Sequence, residues 1–225
     1  MTPIDRRLQY PWDGERHTRH SAFAIQVSGH FALFTRIDAH GAHPVSYKMP
    51  TYSACLGLIT TLIGRRNTNV EIIPVAVDAL DREPRLVSYA YNNNTPSRKR
   101  MSIVAGVPNQ IKCLVVSKPK YRVIFELRPK TEDAQRAIGY TIHQLHHAVE
   151  NGGNASHPFL GTSEFLASVT FATTQRPYSF DEFLPTMSKQ PPRKARRAEI
   201  YRNVTVKAGR LVFPDQSYPL EESHA

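Results

Sequence analysis

Cysteine is scarce in this sequence, which has only Cys55 and Cys113 among its 225 residues. Both lie within apolar segments, where we expect them to be reduced thiols buried in a core. They provide neither a disulfide framework nor the spacing of metal ligands. The sequence therefore predicts no metal site and no cofactor.

Long apolar runs are also missing. No stretch approaches the roughly 18 apolar residues that a transmembrane helix needs, so we expect no contact with a membrane. Residues 1–20 lack the apolar centre of a secretory signal, and we predict a cytoplasmic location. Their scattered charge predicts a flexible basic tail over the same residues.

Acidic residues are outnumbered. Lysine and arginine total 29 against 19 aspartates and glutamates, which gives a net charge of +10 and a pI near 9.8. A balance of this kind favours a polyanionic partner, most often a nucleic acid. The alternative is that the charge serves solubility alone.

The basic residues are concentrated in three segments, at 97–100, 118–122 and 189–202. Aromatic residues accompany two of these segments, an arrangement typical of a surface that follows a phosphate backbone. A solvated loop is the simpler interpretation of any one charge run. The candidate RNA-binding residues in these segments are Arg98, Lys99, Arg100, Lys118, Lys120, Arg122, Arg193, Lys194, Arg196 and Arg197.

Two helices are predicted. The first follows Thr51, a suitable N-cap, and ends at Gly64. Gly57 in its interior costs about 1 kcal/mol relative to alanine, and we expect close packing of the helix on a sheet to explain it. The second begins at Thr131 and stops at Gly152.

Strands are predicted at 23–35, 70–80, 111–129 and 159–174, and 111–129 divides into two strands at the turn 117–120. Pro74 places its strand at an edge or at a bulge. The polar, basic segment between 82 and 109 predicts a protruding hairpin, and 202–214 a second hairpin turned at Ala208 and Gly209.

This order of elements is that of the split βαβ pattern. We predict an α+β fold: a ferredoxin-like (RRM-like) domain over 21–175 with a protruding β-hairpin. A basic loop and a small C-terminal β extension follow over 176–225. The sequence has no aromatic-glycine-aromatic run typical of RNA-binding sheets, which disfavours a generic RRM.

Several histidines and one tyrosine are candidates for chemistry. Tyr47 and Lys48 precede a helix N-terminus, a place that attracts phosphate. His43 lies in the polar loop before them, together with His40. His143 and His147 have a spacing that can bind zinc, but no third ligand is evident and a solvated helix face is the better interpretation.

Three motifs carry a resemblance to a known family. They are "GHFALFTR", "VSYKMPTYSACLGLI" and "HPFLGTSEFLASV", which occur in this order between Ala24 and Thr170. Together they resemble the Cas-five family of subunits of the CRISPR Cascade complex, with type I-C the most similar branch and a type IV or other non-processing relative as an alternative.

The resemblance implies a set of partners. It implies binding of the 5′ repeat-derived handle of the CRISPR RNA, and contacts with the large subunit and the first backbone subunit at one end of the filament. Target nucleic acid would be met only indirectly. The hairpin that holds "YNNNTPSRKR" would act as a thumb, and Arg36, Tyr47 and Lys48 join the candidate RNA-binding residues.

The resemblance also implies a reaction in one branch. Type I-C members cut the precursor RNA without metal, and Tyr47 matches their functional tyrosine. Here the strand "KYRVIFEL" has Val123 and Ile124 where that branch has a lysine and a histidine. We therefore predict a non-catalytic subunit.

Two alternatives stay open at this point. One is a metal-independent endoribonuclease in which Tyr47 acts with His43. The other is a generic RRM-like RNA-binding protein.

Overall fold

The computed structural model describes residues 7–11, 22–39, 43–64, 69–92, 110–131, 135–152, 157–190, 199–215 and 218–219. Several candidate residues lie outside these ranges. They are His40, Arg98, Lys99, Arg100, Arg193, Lys194, Arg196 and Arg197.

The described residues form a mixed α/β fold of mostly antiparallel strands and two helices. The helices are α1 (Tyr52–Ile63) and α2 (Gln135–Asn151). The strands are β1 (Gln9–Tyr10), β2 (Ala22–Ser28), β3 (Phe31–Ala32), β4 (Val70–Ala79), β5 (Arg85–Asn92), β6 (Gln110–Ser117), β7 (Lys120–Pro129), β8 (Ser168–Phe171), β9 (Glu182–Gln190), β10 (Glu199–Lys207), β11 (Arg210–Val212) and β12 (Tyr218–Pro219).

The larger sheet has nine strands among the described residues. Its central part runs in the order β8, β2, β7, β4, and each neighbouring pair is antiparallel. Alternate side chains of β2, including Ile25 and Val27, join the main core together with residues of both helices. Ala24 belongs to a smaller cluster with Ile124. The alternation is what a strand with two covered faces requires.

Local signals account for α1. The Thr51 hydroxyl accepts a hydrogen bond from the N–H of Ala54 at 3.3 Å. At the other end, Gly64 has φ +79 and its N–H donates to the Thr60 carbonyl. Both predicted caps are confirmed. The explanation offered for Gly57 is wrong, because a Cβ there would meet nothing within 4 Å.

The C-terminal strands continue the same sheet. β11 pairs with β4, and β10 pairs with β11, β12 and β9. The predicted turn at Ala208 and Gly209 is confirmed, with φ values of +48 and +76. β9 was not predicted; it contains Pro185, which a strand paired on one side tolerates.

A second sheet of three strands has the order β3, β6, β5. The pairing of β5 with β6 makes the predicted hairpin, whose tip lies outside the described residues. β6 and β7 meet at the predicted turn but enter different sheets, with Lys118 at φ +46 between them. The strand predicted over 23–35 also divides, at Gly29, because β2 belongs to the larger sheet and β3 to the second sheet.

The pairing of β4 confirms a bulge at Pro74. The register with β7 shifts between Pro74 and Ala76, and β4 is an inner strand rather than an edge. A bulge places the proline where no ladder hydrogen bond is lost.

Part of the predicted flexible tail is ordered. Leu8 is fully buried in the main core, and Gln9 and Tyr10 pair with β2. For residues 7–11 the prediction of a flexible tail is therefore wrong, because an apolar side chain anchors them. Neither α1 nor α2 has the length and apolarity that crossing a bilayer demands.

Candidate nucleic-acid interface

The three motifs that are far apart in sequence lie side by side in the fold. The N–H of Leu33 donates to the Leu160 carbonyl at 3.1 Å, which joins the first motif to the third. The N–H of Tyr47 donates to the Phe34 carbonyl at 2.8 Å, which joins the first to the second. The motif cluster defined by these contacts is the candidate site.

Gly161 is required where the third motif passes the first. Its φ is +90, and a Cβ would lie 1.9 Å from the Leu33 carbonyl oxygen. Only glycine tolerates both this backbone conformation and this approach. The loop that holds Gly161 is closed by a hydrogen bond of 2.8 Å from the N–H of Leu160 to the Phe165 carbonyl.

Tyr47 is buried, with 1% of its surface exposed. Its hydroxyl donates to the Thr186 carbonyl of β9 at 3.0 Å, and the Arg36 guanidinium lies 5.5 Å from the centre of its ring. Burial is the main cause that raises the pKa of Tyr47 above its usual value. The hydroxyl is thus neutral and engaged, which differs from the exposed RNA-facing group expected from the sequence.

Arg36 and Lys48 flank Tyr47 and are both partly exposed. Arg36 pairs with Asp38 at 2.6 Å, and Lys48 pairs with Glu83 at 2.9 Å. Their side chains keep 29% and 28% of their surface exposed. A phosphate that binds Arg36 or Lys48 would have to share the cation with its carboxylate partner or displace that carboxylate. Exposed ion pairs contribute little to stability, so this exchange costs little free energy.

Glu182 on β9 is a site residue that the sequence analysis missed. One of its carboxylate oxygens, Oε2, is buried and has no hydrogen-bond partner among the described residues. Burial raises the pKa of Glu182, Glu83 adds to the effect, and Lys48 and Arg36 oppose it. The signal in the sequence was weak, because β9 itself was not predicted.

Three further candidates lie apart from Tyr47. Lys118 is exposed on the turn between β6 and β7. Lys120 pairs with Asp81 at 2.7 Å and is 30% exposed. His43 is exposed beside β6, with Nδ1 3.2 Å from the Lys112 carbonyl oxygen. Each is accessible to a ligand, but the structure does not bring His43 into contact with Tyr47.

The prediction that Arg122 binds RNA is wrong, because the residue is buried. Its side chain is 1% exposed and donates to Asp78 and to the carbonyls of Thr173 and Gln175. A buried and fully engaged guanidinium is not accessible to RNA phosphates. The sequence signal was that Asp78 and Arg122 each lie within an apolar run, which is typical of a buried pair.

Val123 and Ile124 are buried, with 1% and 0% of their surface exposed. These are the positions at which the type I-C branch is expected to have a lysine and a histidine.

His143 and His147 are exposed on α2, as predicted. Cys55 and Cys113 are buried free thiols, also as predicted. Among the described residues no group of three or more histidine, cysteine or acidic side chains is arranged to hold a metal ion.

Comparison with known proteins gives the family. The model described as "CRISPR-associated protein (Cas_Cas5)" matches residues 23–223. Because this match spans most of the chain, the protein belongs to the Cas-five family of CRISPR-associated proteins. The resemblance seen in the three motifs is confirmed.

Solved structures support the fold. One, described as a CRISPR-associated protein, has a TM-score of 0.61 and 18% identity, and the match covers 88% of this chain and 96% of the other. A functionally uncharacterized protein from Streptococcus mutans has a TM-score of 0.58 at the same identity and coverage. A search of curated proteins gives no significant match.

Proposed function

We propose that the protein is a non-catalytic subunit of a CRISPR effector complex that binds the 5′ repeat-derived handle of the CRISPR RNA. The observation that carries the non-catalytic part is the burial of Tyr47, with its hydroxyl bonded to the Thr186 carbonyl. A neutral, engaged phenol is a poor base at neutral pH. Family membership and the net charge of +10 support the RNA-binding part.

The proposed architecture follows the family. The order β8, β2, β7, β4, with a helix after β2 and after β7, supports a ferredoxin-like domain as the proposed fold. The hairpin of β5 and β6 would be the thumb, and β9 to β12 the C-terminal extension. Lys118, Lys120, Arg36 and Lys48 are the described cations that we assign to phosphate contact.

The proposed partners are the CRISPR RNA, the large subunit and the first backbone subunit, in the cytoplasm. Such a subunit would cap one end of the backbone filament and meet target nucleic acid only through the guide. Co-expression of a tagged chain with the neighbouring genes should yield a complex of several subunits and RNA. This complex should stay intact when ribonuclease degrades the RNA that is not bound in it. Recovery of the chain alone would contradict this assignment.

The catalytic status is tested by mixing the purified chain with repeat-containing precursor RNA in EDTA. We expect a bound but uncut RNA. We also expect the logarithm of the binding constant to fall with the logarithm of salt by about 0.7 per phosphate contact. Equal binding of RNA with and without repeat sequence would favour a generic RNA-binding protein instead.

A metal-independent endoribonuclease is the second candidate, because of Glu182. A carboxyl whose pKa is raised by burial, placed near Arg36 and Lys48, offers an acid and two cations of the kind that RNA cleavage uses. Product ending in a 2′,3′-cyclic phosphate would establish this candidate. Loss of that product in Glu182→Gln and in Tyr47→Phe would then assign the roles.

A further inference from the structure

A pocket of about 240 Å³ opens at the motif cluster. Its walls come from the end of the first motif, the first turns of α1, the loop that contains Gly161, and β9. Three residues of these walls, Gly57, Ser188 and Phe159, indicate what the pocket can hold.

Gly57 weakens α1 without helping it to pack. A glycine in a helix interior costs about 1 kcal/mol relative to alanine. Close packing usually accounts for such a residue, but a Cβ at position 57 would meet nothing within 4 Å. Gly57 lines the pocket, so the missing side chain leaves space there that a ligand can occupy.

Ser188 lines the pocket and carries a hydroxyl. The residue is 6% exposed. A hydroxyl can both donate and accept, so Ser188 suits a ligand with a polar edge.

Phe159 supplies an aromatic wall. It lines the pocket and keeps 37% of its surface exposed. The N–H of Leu160, the next residue, donates to the Phe165 carbonyl, and its carbonyl accepts from Leu33. These bonds and the close approach of Gly161 to Leu33 fix the backbone of the loop that carries Phe159 before any ligand arrives.

The chemistry of the pocket favours a neutral ring over a phosphate. None of the described residues that line it carries an ionisable side chain. Thr51 already caps α1 through Ala54, which weakens the attraction of the helix end for an anion. The volume is below the roughly 300–1,000 Å³ of pockets for drug-sized ligands, so it suits one ring rather than a whole nucleotide.

From these features we propose that the pocket binds one nucleobase of the guide RNA. The base stacks on Phe159, its polar edge meets the Ser188 hydroxyl, and its ring occupies the space left by Gly57. The inference rests on the proposed function, because it assumes that RNA is the ligand. It adds base recognition to a surface otherwise assigned to phosphates.

The probes are short homopolymeric RNAs of the four bases and an abasic ribose-phosphate chain of equal length. We expect the parent protein to bind at least one base-bearing RNA about fivefold or more tightly than the abasic chain, since stacking on an aromatic ring contributes that much per base. Phe159→Ala should remove most of the preference. Ser188→Ala should change the ranking among the four bases.

Gly57→Ala is the decisive variant, because its methyl group should take up space that the bound ring would need while stabilising the fold. We expect its Tm to rise by about 2–4 °C and its preference for bases to disappear. Gly139→Ala on α2 is the matched control, since a Cβ there also meets nothing within 4 Å. It should give a similar rise in Tm and the binding of the parent.

The outcomes separate this inference from the proposed function. If the parent binds RNA with the expected salt dependence but Gly57→Ala keeps the base preference, the pocket inference fails and the proposed function stands. If Gly57→Ala disrupts only assembly with a partner subunit, the occupant is a protein side chain and the inference fails. If the parent binds none of the RNAs, both fail.

Discussion

Arg122 on β7 donates a hydrogen bond from Nε to Oδ2 of Asp78 on β4 at 2.9 Å, and neither side chain is more than 1% exposed. Arg210 on β11 also donates to Asp78, from Nε to Oδ1 at 2.6 Å. The buried carboxylate of Asp78 thus joins β7 and β4, at the centre of the larger sheet, to β11 of the C-terminal hairpin. The arrangement explains why a basic residue in a basic segment is structural.

We predict that Asp78→Ala is strongly destabilising, because it leaves Arg122 buried without its counter-charge. Removing one partner of a buried ion pair typically costs about 3–5 kcal/mol. Arg210→Ala should cost less, since Arg122 still neutralises Asp78. Urea unfolding of both variants measures the difference, and equal losses would contradict the assigned role of Arg122.

A control for this comparison is Lys120→Ala, which breaks an exposed pair with Asp81. Exposed pairs contribute less than about 1 kcal/mol and are screened by salt, whereas a buried pair is screened much less. The loss in Asp78→Ala should therefore persist at high salt. The loss in Lys120→Ala should shrink.

The elements that the sequence predicts well are those whose signals are local. The bounds of α1 depend on Thr51 and Gly64, and both caps are found where expected. The turn of the C-terminal hairpin depends on Ala208 and Gly209 alone. No distant residue is needed for either prediction.

Strand partners depend on distant residues, and here the sequence is a poor guide. The turn at Lys118 predicts two strands, but nothing near it indicates that β6 and β7 enter different sheets. Likewise, Arg122 belongs to a basic run by sequence, and only its pairing across from Asp78 makes it part of the core. The pocket depends on three motifs at once, so it is visible only in the fold.

We predict that Gly161→Ala destabilises the protein by at least about 2 kcal/mol. The added Cβ would lie 1.9 Å from the Leu33 carbonyl oxygen, and a positive φ is itself unfavourable for alanine. Thermal unfolding of the purified variant measures the loss. Wild-type stability in Gly161→Ala would mean that the loop and the first motif can separate.

Tyr47→Phe should have a modest effect on stability and none on RNA integrity. The variant loses the hydrogen bond to the Thr186 carbonyl, and such a bond contributes about 0.5–1.5 kcal/mol. The packing of the ring is retained. Urea unfolding and incubation with precursor RNA check the two parts, and a fall in cutting activity relative to the parent would contradict the non-catalytic assignment.

The last prediction concerns Glu182, whose pKa is raised by burial. A carboxyl with a raised pKa in the folded state stabilises the protein below its unfolded pKa of about 4.3, and this contribution is lost as pH rises through the folded pKa. At neutral pH the ionised carboxylate therefore costs stability. Glu182→Gln should be more stable than the parent at neutral pH, and the difference should vanish in acid.

Glu83→Gln is the matched control with the opposite sign. The hydrogen bond from Lys48 lowers the pKa of Glu83, so its contribution is present above the unfolded pKa and is lost as pH falls through the folded one. That variant should be slightly less stable than the parent at neutral pH. Urea unfolding across a pH series measures both differences, and a Glu182→Gln protein that is weaker at neutral pH would mean that Arg36 and Lys48 hold the carboxylate ionised.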